Sequence, residues 1–234
     1  MEDFHGQFFI WEAIVMKHEE IRRLTVMAML CALAYAAVAA VRIPITPVEF
    51  LKYEPKDVVI SIGGFLYGPL ASAVIALIVS LIEMVTISST GWIGLLMNVL
   101  SSAAFACVAA LIYQKKRTLR GAVLGLCAGV AVMSAVMVLW NYLITPLYMG
   151  TSRSDVAAML LPIILPFNLL KGCLNAALTA LLYRPAVQAL RKARLVPASD
   201  SAPVKKSGKL LLWAGASVLL AASILLILVL RGIL

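Results

Sequence analysis

Residues 121–148 read GAVLGLCAGVAVMSAVMVLWNYLITPLY, a run without a charged side chain. The hydrocarbon core of a bilayer is about 30 Å thick and takes about 20 helical residues to cross. Backbone groups in lipid must form their hydrogen bonds within the protein, which leaves helices or a closed barrel. The run is rich in Ala and Leu and shows no alternation with period two, so it predicts a membrane-spanning helix.

The rest of the chain has the same character. Of its 234 residues, 63% are hydrophobic and 13% are charged, whereas soluble domains average roughly 45–50% and about 25%. The formal charge of +9 does not indicate a nucleic-acid partner, because the basic residues lie between apolar runs, where membrane orientation accounts for them. The four cysteines lie inside apolar segments without a CxxC pair, so neither a metal site nor a disulfide framework is predicted.

The apolar runs predict an all-α, polytopic membrane protein with a six-helix bundle and one appended C-terminal transmembrane helix. The predicted bundle helices cover residues 21–41, 58–67, 70–87, 93–113, 121–148 and 156–183, and the appended helix covers 210–230. Pro146 is predicted to interrupt the fifth helix, and Pro162 and Pro166 lie near the start of the sixth.

Four regions follow from this pattern. They are an N-terminal extension (1–20), the six-helix membrane domain (21–184), a basic linker (185–209) and the extra transmembrane helix (210–231). Because MKHEEIRRLTV at 16–26 looks like a natural chain start, an upstream mis-start is one interpretation of residues 1–15.

Lysine and arginine set the predicted orientation. With the N-terminus in the cytoplasm, 14 of the 20 basic residues fall inside and 5 outside, and Lys171 lies within a span. Positive residues concentrate on the cytoplasmic side of membrane proteins. The N-terminus and the linker are therefore predicted to be cytoplasmic, and the proline-rich loop RIPITPVEFLKYEPKD (42–57) is predicted to face outward.

Lys171 lies near the middle of the sixth helix, in LPFNLLKGCLNAAL (165–178). It shares a helix face with Asn168 and Asn175, which lie three residues before it and four after it. Arg184, at the cytoplasmic end, is 13 residues away, roughly 20 Å at about 1.5 Å per residue, which is too far for a lysine to snorkel. Lys171 and Asn168 are therefore predicted to face a cavity or a partner, whereas Asn175 suits that face or an interhelical hydrogen bond equally.

A second polar position lies on the fifth helix, where Asn141 precedes Thr145 by one turn. An aromatic belt at the membrane interface explains Tyr148 but not a buried amide. An amide beside aromatic rings suits a flat ring system rich in heteroatoms. Asn141, Asn168 and Lys171 are therefore predicted to converge in the outer half of the bundle.

Small residues form a stripe on the first helix at a spacing of four. Such a stripe lets another helix approach closely, either within the bundle or from a partner protein. We interpret it as a docking face for a partner; its members are Ala28, Ala32, Ala36 and Ala40. A similar stripe on the fifth helix is interpreted as internal packing; its members are Gly121, Gly125 and Gly129.

Catalytic motifs are missing from the sequence. There is no GxxxxGK[ST] loop for ATP hydrolysis, the two histidines precede the first helix, and no span carries paired aspartates for Mg²⁺. No catalytic residue or metal ligand is therefore predicted. Glu83, a second charge in a span, is expected to pair with a cation, coordinate an ion or lie near the outer surface. An intramembrane enzyme using Lys171 and Glu83 as an acid–base pair is a remote alternative.

Three segments together resemble the riboflavin-specific group of substrate-binding (S) components of energy-coupling factor (ECF) vitamin transporters. They are FLKYEPKDVVISIGGFLYGPL (50–70), WNYLITPLYMG (140–150) and LPFNLLKGCLNAALTALLYRP (165–185), within a likeness that covers residues 20–195. The resemblance implies a subunit of the bacterial cell membrane that captures riboflavin at the outer face. Its partners would be a transmembrane coupling subunit and two ATP-binding subunits, with riboflavin as the transported ligand and not a catalytic cofactor.

The resemblance also implies roles for particular residues. Asn141, Asn168 and Lys171 would bind the flavin beneath the loop that joins the first two helices, with residues 43–57 as a lid. The alanine stripe of the first helix would dock the coupling subunit. An S component for another vitamin or flat heterocycle remains the main alternative, and neither the appended helix nor residues 1–15 have a counterpart in the family.

Overall fold

The computed structural model describes residues 2–46, 48, 51–196, 213–221 and 223, with side chains described from residue 18 onward. The helices are α1 (Glu2–Ala40), α2 (Lys56–Tyr67), α3 (Pro69–Thr86), α4 (Gly91–Lys115), α5 (Leu119–Met149), α6 (Arg153–Met159) and α7 (Leu165–Lys192). A π-helical turn, Leu160–Ile164, joins α6 to α7 in one helical span, Arg153–Lys192. Strands β1 (Ile43–Pro44) and β2 (Lys52–Tyr53) form an antiparallel hairpin between α1 and α2.

Among the described residues, five helices are long and apolar enough to cross a membrane: His18–Ala40, Pro69–Thr86, Gly91–Lys115, Leu119–Met149 and Arg153–Lys192. The 12-residue α2 is shorter and mostly buried within the bundle. The predicted all-α, polytopic membrane architecture is therefore confirmed.

Helices α2 to α5 begin and end within two residues of the predicted bounds. The final bundle helix begins earlier than predicted because Ser152 and Asp155 form a capping box at its start. It continues through Pro185 to Lys192, so the first residues of the predicted linker are helical. The helix α1 begins at Glu2, so the predicted N-terminal extension is also helical.

The prediction that Pro146 interrupts the fifth helix is wrong. Pro146 is buried inside α5, which continues to Met149. A proline removes one backbone donor and clashes with the carbonyl four residues earlier. Near a helix end few turns follow the lost bond, so the distortion is tolerated there. Of the predicted appended helix, residues 213–221 and 223 are helical, and the others lie outside the described residues.

Helices α4 and α5 approach closely along the glycine stripe of α5. A Cβ atom added to Gly125 would lie 2.6 Å from the carbonyl oxygen of Ala109, and one added to Gly129 would lie 2.6 Å from that of Phe105. Neither backbone oxygen moves without displacing α4. The interpretation of this stripe as internal packing is confirmed.

Gly125→Leu is therefore expected to force α4 and α5 apart and to lower the unfolding temperature of the purified protein by about 5 °C. Differential scanning fluorimetry in detergent measures this temperature. Ala131→Leu, on the exposed face of the same helix, is the matched control and is expected to leave it unchanged. Equal effects of the two substitutions would contradict the close approach.

Two apolar clusters hold the bundle together. The larger involves α1 to α5, and its innermost members include Val26, Ile75 and Phe105. The smaller, here named the hairpin–α7 cluster, joins the loop between α1 and α2 to the start of the final helix. Its buried members are Ile45, Leu51, Tyr53, Ile164, Phe167, Leu170 and Leu174.

The hairpin lies at the same end of the bundle as the turn between α3 and α4. The guanidinium Nη1 of Arg42 donates a hydrogen bond to the carbonyl oxygen of Ile87 at 2.9 Å. The end of α5 lies beside the start of α4, where Thr145 and Tyr148 share a pocket with Thr90 and Gly94, so the turn between α5 and α6 lies there too. We call this the hairpin end.

Candidate functional site

An open cavity lies at the hairpin end. It is surrounded by residues 42, 51, 52 and 54 of the loop between α1 and α2, by the turn 88–90 and by helices α4, α5 and α7. Its empty volume is about 640 Å³, counted with the solvent at its open side. The three residues predicted to converge, Asn141, Asn168 and Lys171, all line it.

The amide of Asn141 is buried and held by its own helix. Its Nδ2 donates to the carbonyl oxygen of Met137 at 2.7 Å, and its Oδ1 accepts from the hydroxyl of Thr145 at 2.8 Å. These two bonds fix the amide plane. Within the part of the chain that the structure describes, a second Nδ2 hydrogen and a second Oδ1 lone pair take no partner and are available to a ligand.

Asn168 enters the same cavity from α7. Its Nδ2 donates to the carbonyl oxygen of Ile164 at 2.8 Å, at the end of the π-helical turn. Among the described residues its Oδ1 accepts no hydrogen bond. Ser101, a buried cavity residue on α4, likewise has no hydrogen-bond partner for its hydroxyl in the described part of the chain. The cavity wall thus carries buried polar atoms that have capacity for a ligand.

Lys171 is buried, and its ammonium faces a carboxylate as well as the cavity. Its Nζ lies 3.7 Å from Oδ2 of Asp57, the second residue of α2. Asp57 also accepts hydrogen bonds from Asn175 Nδ2 at 3.1 Å and from the hydroxyl of Ser102. The Lys171 charge is therefore balanced by Asp57, which the sequence interpretation missed, and not by a ligand alone. At 3.7 Å the pair is longer than a hydrogen bond, which leaves the ammonium donors free to turn to the cavity.

The two possibilities for Asn175 are resolved by its contacts. Besides its bond to Asp57, its Oδ1 accepts from the hydroxyl of Tyr53 at 3.2 Å. Asn175 therefore ties α7 to α2 and to the hairpin, as an interhelical hydrogen-bonding residue.

Lys56 lies at the centre of a cluster of charged residues beside the cavity. Its side chain is 0% exposed. Its ammonium lies 2.6 and 2.8 Å from the two carboxylate oxygens of Glu83 and 3.1 Å from Glu54. Arg42 also binds Glu54, at 2.8 Å, and Asn98 donates to Glu83 at 3.0 Å. Of the roles expected for Glu83, the structure selects pairing with a cation.

The ion-paired charges beside the cavity are balanced, and Lys52 is a further cation in the cavity lining. Three cations face three carboxylates: Arg42, Lys56 and Lys171, with Glu54, Asp57 and Glu83. Since an unpaired charge is costly to bury, this balance accounts for ionic side chains at membrane depth. Glu83 and Lys171 are paired with other residues, so the acid–base pair that the enzyme alternative needs is not formed.

Electrostatics at Glu54 favour the ionised form. Burial alone raises the pKa of this carboxyl group, but Lys56, Lys171 and Arg42 outweigh burial and hold the pKa below its usual range. A carboxylate with a lowered pKa stabilises the fold above its unfolded pKa, and that contribution is lost as the pH falls through the folded pKa. At neutral pH the hairpin is therefore held to the helices by charge.

The alanine stripe of α1 lies outside the bundle. All four alanines, Ala28, Ala32, Ala36 and Ala40, are exposed. The buried face of the same helix is formed instead by residues such as Val26, Leu30, Ala34 and Val38. The stripe therefore does not serve packing within the described bundle.

Comparisons with known proteins agree with this architecture. The family model described as "ECF transporter, substrate-specific component" matches residues 22–183. The riboflavin transporter RibU of Staphylococcus aureus (strain TCH60) is 30% identical over 181 residues, which are 74% of this chain and 95% of the relative. The riboflavin transporter FmnP of Bacillus subtilis (strain 168) is 26% identical over 189 residues, 75% of this chain and 99% of the relative.

A solved structure, of the S component of a bacterial ECF transporter, has the same fold. It matches with a TM-score of 0.64 and 28% identity, over 74% of this chain and 99% of the other. The family match ends at residue 183, so residues 213–221 and 223 lie beyond it.

Proposed function

Because the chain belongs to the substrate-specific components of ECF transporters, we propose that it captures riboflavin from outside the cell for import. The observation that carries this proposal is the meeting of Asn141, Asn168 and Lys171 around one cavity, although they come from two different helices. The matched relatives are riboflavin transporters by name.

The chemistry of the cavity suits a neutral flavin. Two buried amides provide both donors and acceptors, as the heteroatoms along a flavin ring edge require. The ring face would lie against apolar cavity residues such as Phe167 and Met137. Since Asp57 already balances Lys171, the ammonium acts as a donor to ring or ribityl oxygens, and an uncharged ligand leaves this ion pair balanced.

The orientation and the partners are part of the proposal. The N-terminus lies in the cytoplasm, as the distribution of basic residues supports, and the hairpin end faces outward. A transmembrane coupling subunit and two ATP-binding subunits supply the energy for release to the inside. Residues 43–57 are proposed to act as the lid of the site.

A fluorescence titration tests the ligand. Purified protein is added to riboflavin, and saturable quenching with one site per chain at micromolar concentration or below is expected, because stacking on side chains quenches flavin emission. Absence of quenching at micromolar ligand would reject riboflavin. Displacement by a purine nucleoside at equal affinity would move the assignment to the wider class of flat heterocycles.

The docking face is tested on the alanine stripe. Ala32→Trp is expected to leave the riboflavin affinity unchanged and to reduce co-purification with the coupling subunit at least about tenfold, because a bulky side chain prevents close helix approach. Leu33→Trp, at the next exposed position of α1, is the matched control and is expected to retain the complex. Loss of the complex in both variants, or in neither, would contradict docking through the stripe.

A further inference from the structure

The segment formed by residues 213–221 and 223 lies beyond the family match and has two different faces. We call it the C-terminal segment. Ala216, Leu220 and Ser223 are buried or half-buried and recur at helical spacing, which places them on one face. Val218 and Leu219, between them, are 68% and 46% exposed. One face is therefore packed against the protein and the other faces away from it.

The packed face reaches the wall of the cavity. Leu220 packs against the hairpin–α7 cluster. Two members of that cluster, Leu51 from the loop and Phe167 from α7, also line the cavity. A continuous set of apolar contacts therefore runs from the C-terminal segment to the proposed riboflavin site.

The hairpin depends on such packing for its position. Each of its strands has only two residues, and an isolated two-stranded hairpin of any length is marginally stable. Its side chains Ile45, Leu51 and Tyr53 are anchored in the cluster. A side chain that packs against the cluster from outside, as Leu220 does, therefore influences how often the hairpin moves away from the cavity.

We propose that the C-terminal segment is an intramolecular brace, with Leu220 as a positioning residue that holds the hairpin–α7 cluster in place and slows ligand exchange. The effect on ligand exchange rests on the proposed function, whereas the packing of Leu220 against the cluster does not. Because the brace is part of the same chain, its local concentration at the cluster is high without a separate subunit.

The test compares two neighbouring leucines in the full-length protein, of which one is packed and the other exposed. Leu220→Ala removes the contact with the cluster, and Leu219→Ala, on the exposed face, is the matched control. The first readout is hydrogen–deuterium exchange of the backbone amides of residues 43–54 without ligand, which is expected to accelerate only in Leu220→Ala. The second is stopped-flow dissociation of riboflavin, expected to be about fivefold faster in Leu220→Ala and unchanged in Leu219→Ala.

Unchanged exchange in Leu220→Ala, or equal acceleration in both variants, would overturn the brace. Should Leu220→Ala fail to fold, Leu220→Val is expected to show a smaller acceleration of hairpin exchange and of riboflavin dissociation. Unchanged rates in Leu220→Val would also overturn the brace. Faster exchange of the hairpin in a protein that does not bind riboflavin would support the brace while rejecting the ligand, because that readout needs no ligand.

Discussion

Replacing Lys171 with methionine is expected to weaken riboflavin binding by about 10- to 100-fold, the range for losing a hydrogen bond to a charged donor. Methionine keeps much of the length and apolar volume of the lysine stem and removes the ammonium. The cavity would then offer the flavin its two amides, Asn141 and Asn168, without the charged donor. Equilibrium titration by flavin fluorescence measures the change.

A second variant separates ligand contact from charge balance. Lys171→Met also leaves the buried carboxylate of Asp57 without its cation, which by itself destabilises the fold. The double variant Lys171→Met/Asp57→Asn removes both charges, and an asparagine can still accept from Asn175 and donate to Ser102. We expect the double variant to recover stability but not affinity. Recovery of affinity would show that Lys171 serves only to neutralise Asp57.

Replacing Lys56 with methionine is expected to cost about 3–5 kcal/mol of folding free energy, as for other buried ion pairs that lose one partner. The ammonium of Lys56 is fully buried between Glu54 and Glu83. Its removal leaves two buried carboxylates close together, of which Glu54 keeps the cation Arg42. Unfolding temperature and the yield of folded protein in detergent measure the effect.

Two further variants serve as controls for the Lys56→Met test. Lys56→Met/Glu83→Gln removes the unpaired carboxylate as well and is expected to recover a large part of the lost stability. Lys115→Met, at an exposed position, is expected to change the unfolding temperature little. A Lys56→Met protein as stable as the parent would contradict the account of the charged group around the cavity.

The sequence predicted the helices well because a bilayer imposes a simple requirement on spanning segments. Long apolar runs gave α3, α4 and α5 to within two residues. The same requirement brought Asn141, Asn168 and Lys171 to attention, since polar side chains are rare in spans and usually have a specific partner. The structure places all three at one cavity.

The partners of those residues were harder to predict. Glu54, Lys56 and Asp57 belong to a segment of mixed charge that in sequence resembles a solvated loop, although Lys56 and Asp57 begin α2. Their burial depends on the packing of the hairpin and α2 among the long helices, a tertiary arrangement that periodicity does not encode. The signal that could have found them is the placement of three charges directly before a short apolar helix.

Backbone irregularities were also beyond the sequence pattern. The hairpin has strands of two residues, too short for an alternating pattern to be recognised. Pro162, near the predicted helix start, lies within a π-helical turn that keeps α6 and α7 continuous. Neighbouring helices can re-satisfy the backbone groups that a proline frees in a membrane span, which local sequence does not reveal.

The central claim is that the cavity at the hairpin end holds riboflavin between the amides and Lys171. Its most direct test is to identify what co-purifies with the protein after expression in medium that contains riboflavin, by absorption spectrum and mass spectrometry. We expect a yellow preparation with about one riboflavin per chain, and a colourless one from Lys171→Met/Asp57→Asn. A wild-type preparation without flavin, or one carrying a different heterocycle, would contradict the account.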